Sequence, residues 1–243
     1  MTDLANHLTK TQRDQSFPNL RPRDAATIIL IDRSGPESKV LMGRRHHGHK
    51  FMPGKFVFPG GRVDAADQYV PVAGKLDPQV ESRLMARLRR PSRIRARVLA
   101  VAAIREAFEE TGLLLGTKVA TPPRFPAGCW TAFAEAGVQP SLDELHFVAR
   151  AITPPRRPRR FDTRFFAADA GAIADRVEGI IGPDAELVEL VWVPIAAAKE
   201  LDLPTITHVV LVDLEARIAA GFGHELPVPY YRMVNRRFVR ELL

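Results

Sequence analysis

The chain has 243 residues, 46% of them hydrophobic and 26% charged, which is enough apolar material to bury a full core and too much for intrinsic disorder. Its one cysteine, Cys129, excludes an internal disulfide framework and a multi-thiolate zinc site and reads as buried filler. A formal charge of +7 draws anions of every kind, while the polar start carries no secretory signal and no later run reaches the ~20 apolar residues of a membrane span, so a cytoplasmic protein without membrane association is expected.

Taken in chain order, residues 1–19 are expected to form a flexible N-terminal segment. Ala25 to Asp32, rich in Ile and Thr, and Lys39 to Gly43 flank the turn signal Ser34-Gly35-Pro36 and predict an early hairpin. A third strand, Lys55 to Phe58, runs into Pro59-Gly60-Gly61. Pro71 to Pro91 reads as an insertion, with a helix starting at Asp77-Pro78 and carrying Val80, Leu84 and Leu88 at helical spacing. The next helix starts near Ser92, which can cap it, and stops at Gly112, where a left-handed residue is wanted. Strands over Leu145 to Ala151, Thr163 to Ala168 and Leu187 to Pro194 follow, then a helix from Pro204 to Ala220 ended by Gly221. These elements predict one α/β domain spanning 1–243, with a helical insertion over about 68–97.

On the central helix Glu106, Glu109 and Glu110 share a face, opposite Val101, Ile104 and Phe108. Three carboxylates pointing one way repel one another unless a cation sits between them. Mg²⁺ or Mn²⁺, which take oxygen ligands, suit such a cluster, whereas zinc prefers His or Cys. The helix alone reads equally well as a solvated acidic face. Context tips the balance: Pro59-Gly60-Gly61 lets the backbone turn and approach a ligand closely, and Asp64 and Asp67 follow it.

Gly61, Asp67 and then Arg105-Glu106-Ala107-Phe108-Glu109-Glu110-Thr111-Gly112-Leu113 resemble the box of the Nudix hydrolases. Two departures stand out. Asp67 occupies the place of the first box glutamate, and residues 68–104 replace the seven that the family usually has there. Lengthening a surface connection adds little closure entropy and need not disturb the helix face. Arg44-Arg45, Phe51-Met52-Pro53-Gly54, Val57 to Gly61, Arg160 to Phe166 and Trp192-Val193-Pro194 are similar to the branch containing peroxisomal coenzyme A diphosphatases, over roughly residues 20 to 220.

The resemblance implies an α/β/α sandwich with a mixed sheet and metal-dependent hydrolysis of a nucleoside diphosphate derivative. Coenzyme A or an acyl form is the first expectation for the substrate. ADP-ribose, NADH and dinucleoside polyphosphates are alternatives, and a non-catalytic nucleotide- or RNA-binding scaffold is a further one. It implies Glu106, Glu109, Glu110 and Gly60 around the metal. Glu109, Glu110, Arg105 and Glu186 are implied in catalysis, with Glu186 favoured over Glu189 as the acid from outside the box. Arg44, Arg45, Gly60, Gly61 and Arg160 are implied at the substrate. A small nucleotide is the expected partner and nucleic acid is not, with a homodimer left open. Three other signals are discounted: Arg156 to Arg160 as a solvated loop, His46, His47 and His49 as an anion-contacting loop rather than a metal site, and the arginines between 83 and 97 mainly as a wet helix face.

Overall fold

A computed structural model describes residues 2–48 and 52–243. His49 and Phe51, which entered the sequence reading, lie outside the described residues. In chain order come α1 (Thr2–Lys10), β1 (Arg23–Asp32), β2 (Lys39–Arg45), β3 (Phe56–Val57) and β4 (Gly60–Arg62). A 3₁₀ turn (Ala65–Tyr69) then leads to α2 (Pro78–Met85), α3 (Arg93–Thr111), β5 (Leu113–Leu115), β6 (Thr117–Lys118), α4 (Trp130–Glu135) and β7 (Val138–Gln139). The chain finishes with β8 (His146–Ile152), β9 (Phe161–Asp169), β10 (Ile173–Arg176), β11 (Leu187–Pro194), α5 (Ile195–Ala198), α6 (Thr205–Ala219), β12 (Pro229–Val234) and β13 (Arg237–Leu242).

The main sheet runs β11-β2-β1-β9-β8-β12-β13, with β3 on β2 and β4 on β1. It is mixed: β1 pairs parallel to β9 and β12 parallel to β8, while the other pairs are antiparallel. The β1 sequence shows why two layers of helix are needed. Ala26, Ile28 and Leu30 point to one face and join α3, Trp130 and Phe147 in one apolar cluster. Ile29 and Ile31 point the other way and join residues of α6 and α1 in a second. A strand buried on both faces carries a continuous apolar run instead of alternation, and each fully buried Ile or Leu contributes roughly 1.5–3 kcal/mol. The result is the α/β/α sandwich expected from the sequence. Among the described residues no helix is long and apolar enough to cross a membrane.

Helix α3 starts and stops where its sequence dictates. Ser92 Oγ accepts the Arg95 N–H at 3.3 Å, and Gly112 closes the helix in the left-handed region at φ 76°. A β-carbon at Gly112 would lie 2.2 Å from the Val177 carbonyl oxygen. Gly112→Ala therefore combines an unfavourable φ with a backbone collision, and it is expected to lower the unfolding free energy by about 1–3 kcal/mol or more, read from the urea midpoint. An unchanged midpoint would mean that the turn relaxes freely.

Helix α3 is also buried more completely than its amphipathic pattern predicts. Leu99 through Ile104 are inaccessible on all sides, because Val80 and Leu84 of α2 and Trp130 of α4 cover the outer surface. The inserted segment thus belongs to the core. Leu88, expected on the same helix, lies beyond its end, since Ala86 is extended and Arg87 adopts φ 57°.

The segment expected to be flexible over 1–19 is corrected by α1. Ala5 and Leu8 are buried, and Thr9 Oγ1 accepts the Phe238 N–H at 2.9 Å. A nine-residue helix is marginal alone; packing on β13 holds it, a long-range contact that local periodicity does not reveal. The β12–β13 hairpin is likewise new. Asn235 and Arg236 turn it at φ 47° and 66°, and Asn at a positive-φ turn between two apolar stretches was its available signal.

Candidate active site

Between the end of α3, the Gly60-Gly61 turn and the residue that precedes β11 lies a cavity of about 390 Å³ whose lining includes Arg45, Arg62, Glu106, Glu110, Arg159 and Glu186. The glycine pair is required by close approach. A β-carbon at Gly61 would sit 2.4 Å from the Glu106 carboxylate, and one at Gly60 would sit 2.5 Å from Thr27 Oγ1. With both side chains absent, the Gly60 N–H reaches Glu110 Oε2 at 3.2 Å.

Arg105 is the hub behind this wall. Its Nε donates to Asp67 Oδ1 at 2.8 Å and its Nη2 to Asp67 Oδ2 at 3.2 Å and the Arg62 carbonyl at 2.7 Å. Nη1 donates to Glu106 Oε1 at 2.9 Å and to Glu109 Oε2 at 2.7 Å. Burial alone would lower the Arg105 pKa, but the bond to Asp67 and the charges of Asp67, Glu106 and Glu109 outweigh it and hold it above its ordinary value. Asp67 is inaccessible to solvent and also accepts the Asp64 N–H at 2.8 Å. The departure at position 67 therefore keeps an acid in contact with the box arginine.

The carboxylates divide. Glu110 is almost fully buried, and its pKa is pushed well above the ordinary 4.5, first by burial and then by the charge of Glu186, with Arg45 a partial offset. Burial likewise raises Glu106, against the pull of Arg105. Glu186 pairs with Arg45 at 3.0 Å and keeps 43% of its side chain exposed. Glu109, expected on the same face, does not line the cavity. It bonds Arg105 and interacts with Cys129, whose thiol is pushed up to about 12 by burial and by the Glu109 carboxylate.

Other expectations are also redistributed. Arg45 faces the cavity, but its neighbour Arg44 points away and pairs with Glu189 at 2.8 Å, as alternation along a strand requires. Glu189 is thereby placed outside the cavity and Glu186 inside it. Arg160 is absent from the lining because its guanidinium bonds to the Asn19 side chain and the Leu20 and Thr153 carbonyls; Arg159, set aside as part of a solvated loop, lines the cavity in its place. Arg164, inaccessible and paired with Asp24 and Asp162, braces the sheet. Arg62 was missed, although two-residue periodicity from Gly60 points to it.

Among the described residues no group of three His, Cys, Asp or Glu side chains is arranged to hold a metal ion. The donor chemistry nevertheless fits a hard divalent cation. Glu106, Glu110 and Glu186 offer oxygen alone, and each of the first two, half-buried and buried respectively, feels the charge of the third.

This sandwich, with its long helix following a glycine turn, is a Nudix-type fold. No family model matches the chain. A crystal structure of a NUDIX hydrolase from Alicyclobacillus acidocaldarius aligns with a TM-score of 0.58 at 29% identity, covering 81% of this chain and 92% of that one. A Caenorhabditis elegans protein provisionally named nudix hydrolase 7 is 33% identical over 155 residues, which cover 59% of this chain and 43% of that protein. The chain thus spans less than half the length of that curated relative. Both comparisons support the Nudix hydrolase family.

Proposed function

We propose that the protein is a divalent-metal-dependent diphosphatase acting on nucleoside diphosphate derivatives, with coenzyme A or an acyl-coenzyme A as its substrate. The observation that carries the reaction class is the pair of glutamates, the half-buried Glu106 and the buried Glu110, facing Glu186 across a cavity whose other charged side chains, among the described residues, are Arg45, Arg62 and Arg159. The two relatives, each named as a Nudix hydrolase, support a hydrolase acting on pyrophosphate bonds. The branch-like segments around Arg44-Arg45 and Val57 to Gly61 support the choice of substrate.

In this reading Glu106 and Glu110, with Gly60 beside them, hold Mg²⁺ or Mn²⁺ through oxygen. Once bound, such a cation neutralises phosphate charge and acidifies a water molecule. Glu186, the most water-accessible of the three, accepts the proton of the attacking water. A new P–O bond forms, the bridging P–O bond breaks, and two phosphate monoesters leave. Arg45, Arg62 and Arg159 bind the diphosphate oxygens, and Arg105 positions Glu106 without touching substrate. A purely binding scaffold has no need of buried, mutually repelling carboxylates.

Incubation with Mn²⁺ and a panel of coenzyme A, acetyl-coenzyme A, ADP-ribose, NADH and diadenosine polyphosphates tests this, with products identified by mass spectrometry. Conversion of coenzyme A to 3′,5′-ADP and phosphopantetheine is expected. Preference for another compound would replace the substrate and keep the reaction, and no turnover of any compound would overturn both.

A further inference from the structure

A second cavity, of about 430 Å³, adjoins the first. Met52, Thr153, Thr163, Phe165, Pro204 and Ile206 line both, so the two cavities share a wall. Its far side is built from opposite ends of the chain, by Leu8 and Arg13 on one hand and Phe238 on the other. Leu8, Ile152, Leu203 and Phe238 make the interior apolar, while Arg13, Arg157 and Lys55 sit among its walls.

Lys55 is committed to Asp202 through an ion pair. The two arginines are not committed in this way. Arg13 donates to the Thr11 carbonyl at 2.8 Å and lies 5.1 Å from the Phe238 ring, and Arg157 donates to the Asp14 carbonyl at 2.9 Å. Both are partly buried. Among the described residues neither has a carboxylate at ion-pair distance; the exposed Asp14 side chain accepts the Ser16 N–H at 2.9 Å and feels the Arg157 charge without pairing with it. Burial and then the neighbouring Arg157 charge depress the Arg13 pKa. Two guanidiniums sharing an apolar recess, neither held in an ion pair among the described residues, leave a repulsion that an anion relieves, and their planar donors match phosphate. The loop Pro154 to Arg160 thus serves both cavities, offering Arg159 to the first and Arg157 to the second.

We infer that the second cavity receives the part of the substrate distal to the diphosphate, an aromatic or apolar group bearing a further phosphate monoester, with Arg13 and Arg157 as the phosphate partners. This rests on the proposed function for the position of the scissile bond, but recognition of the distal phosphate is measurable without hydrolysis. Calorimetry with the full chain compares 3′,5′-ADP with 5′-AMP, and kinetics with Mn²⁺ compares coenzyme A with 3′-dephospho-coenzyme A.

Wild type is expected to bind 3′,5′-ADP about ten- to hundredfold more tightly than 5′-AMP, the worth of one charge-assisted contact. Arg13→Gln and Arg157→Gln are expected to erase that preference while leaving 5′-AMP binding unchanged. In kinetics they raise KM for coenzyme A alone, with kcat unaltered. Equal affinity of wild type for the two nucleotides, or equal weakening of both by the variants, would overturn the inference. A phosphate preference in calorimetry without hydrolysis of either coenzyme would support the inference and count against the proposed function alone.

Discussion

Glu110→Gln is expected to lower kcat by a factor on the order of 10³, the equivalent of several kcal/mol of lost charge stabilisation, while making the metal-free protein more stable. The second half of that result follows from burial. The folded protein holds the Glu110 proton more tightly than the unfolded chain does, because burial and then Glu186 raise its pKa above 4.5. The stability that this group contributes is complete below 4.5 and is lost as pH rises through the higher folded value. Gln carries no such penalty and still offers an oxygen to the Gly60 N–H. In EDTA, the urea midpoint of the variant should therefore exceed that of wild type by an amount that grows from acidic to neutral pH, and Mn²⁺ should close the gap by stabilising wild type. A lower midpoint at every pH would mean that the carboxylate is structural.

Asp67→Ala is expected to cost about 3–5 kcal/mol of folding stability, the range for removing one partner of a buried ion pair. Asp67 is inaccessible, and Arg105 donates to both of its oxygens, so the substitution leaves a guanidinium buried with a cavity beside it. Activity should fall as well, by about 10–100-fold, the usual effect of losing a group that orients a metal ligand. Freed from Asp67, Arg105 swings further onto Glu106 and neutralises it. Denaturant unfolding and kcat at saturating Mn²⁺ are the two readouts. Full activity with reduced stability would confine Asp67 to packing.

The sequence read best where the physics is local. Ser92 and Gly112 bound α3 because an N-cap needs a side-chain oxygen and a C-terminal left-handed residue needs glycine. β11 begins at Leu187 and ends at Pro194 because a proline there cannot continue the ladder. Sequence is less informative where neighbours come from far along the chain. A helical wheel puts Glu109 beside Glu106 and Glu110, yet of the two glutamates that Arg105 bonds only Glu106 lines the cavity, and no spacing rule foresees that division. Arg159 and Arg160 differ by one position. The sidedness of that loop is set by where Asn19 and Leu20 lie, residues distant in sequence. α1 is invisible locally because nine residues have little helical preference and are held by Phe238 and its surroundings at the other end of the chain.

The most direct test is Mn²⁺ binding followed by the electron paramagnetic resonance signal of the free ion, at neutral pH, for wild type, Glu110→Gln, Glu186→Gln and Glu189→Gln. Saturable binding to wild type, weakened tenfold or more by the change at 110, far less by the change at 186 and unaltered at 189, is the predicted result. Binding that survives Glu110→Gln unchanged, or that Glu189→Gln abolishes, would contradict the assignment of this cavity as the metal-dependent site.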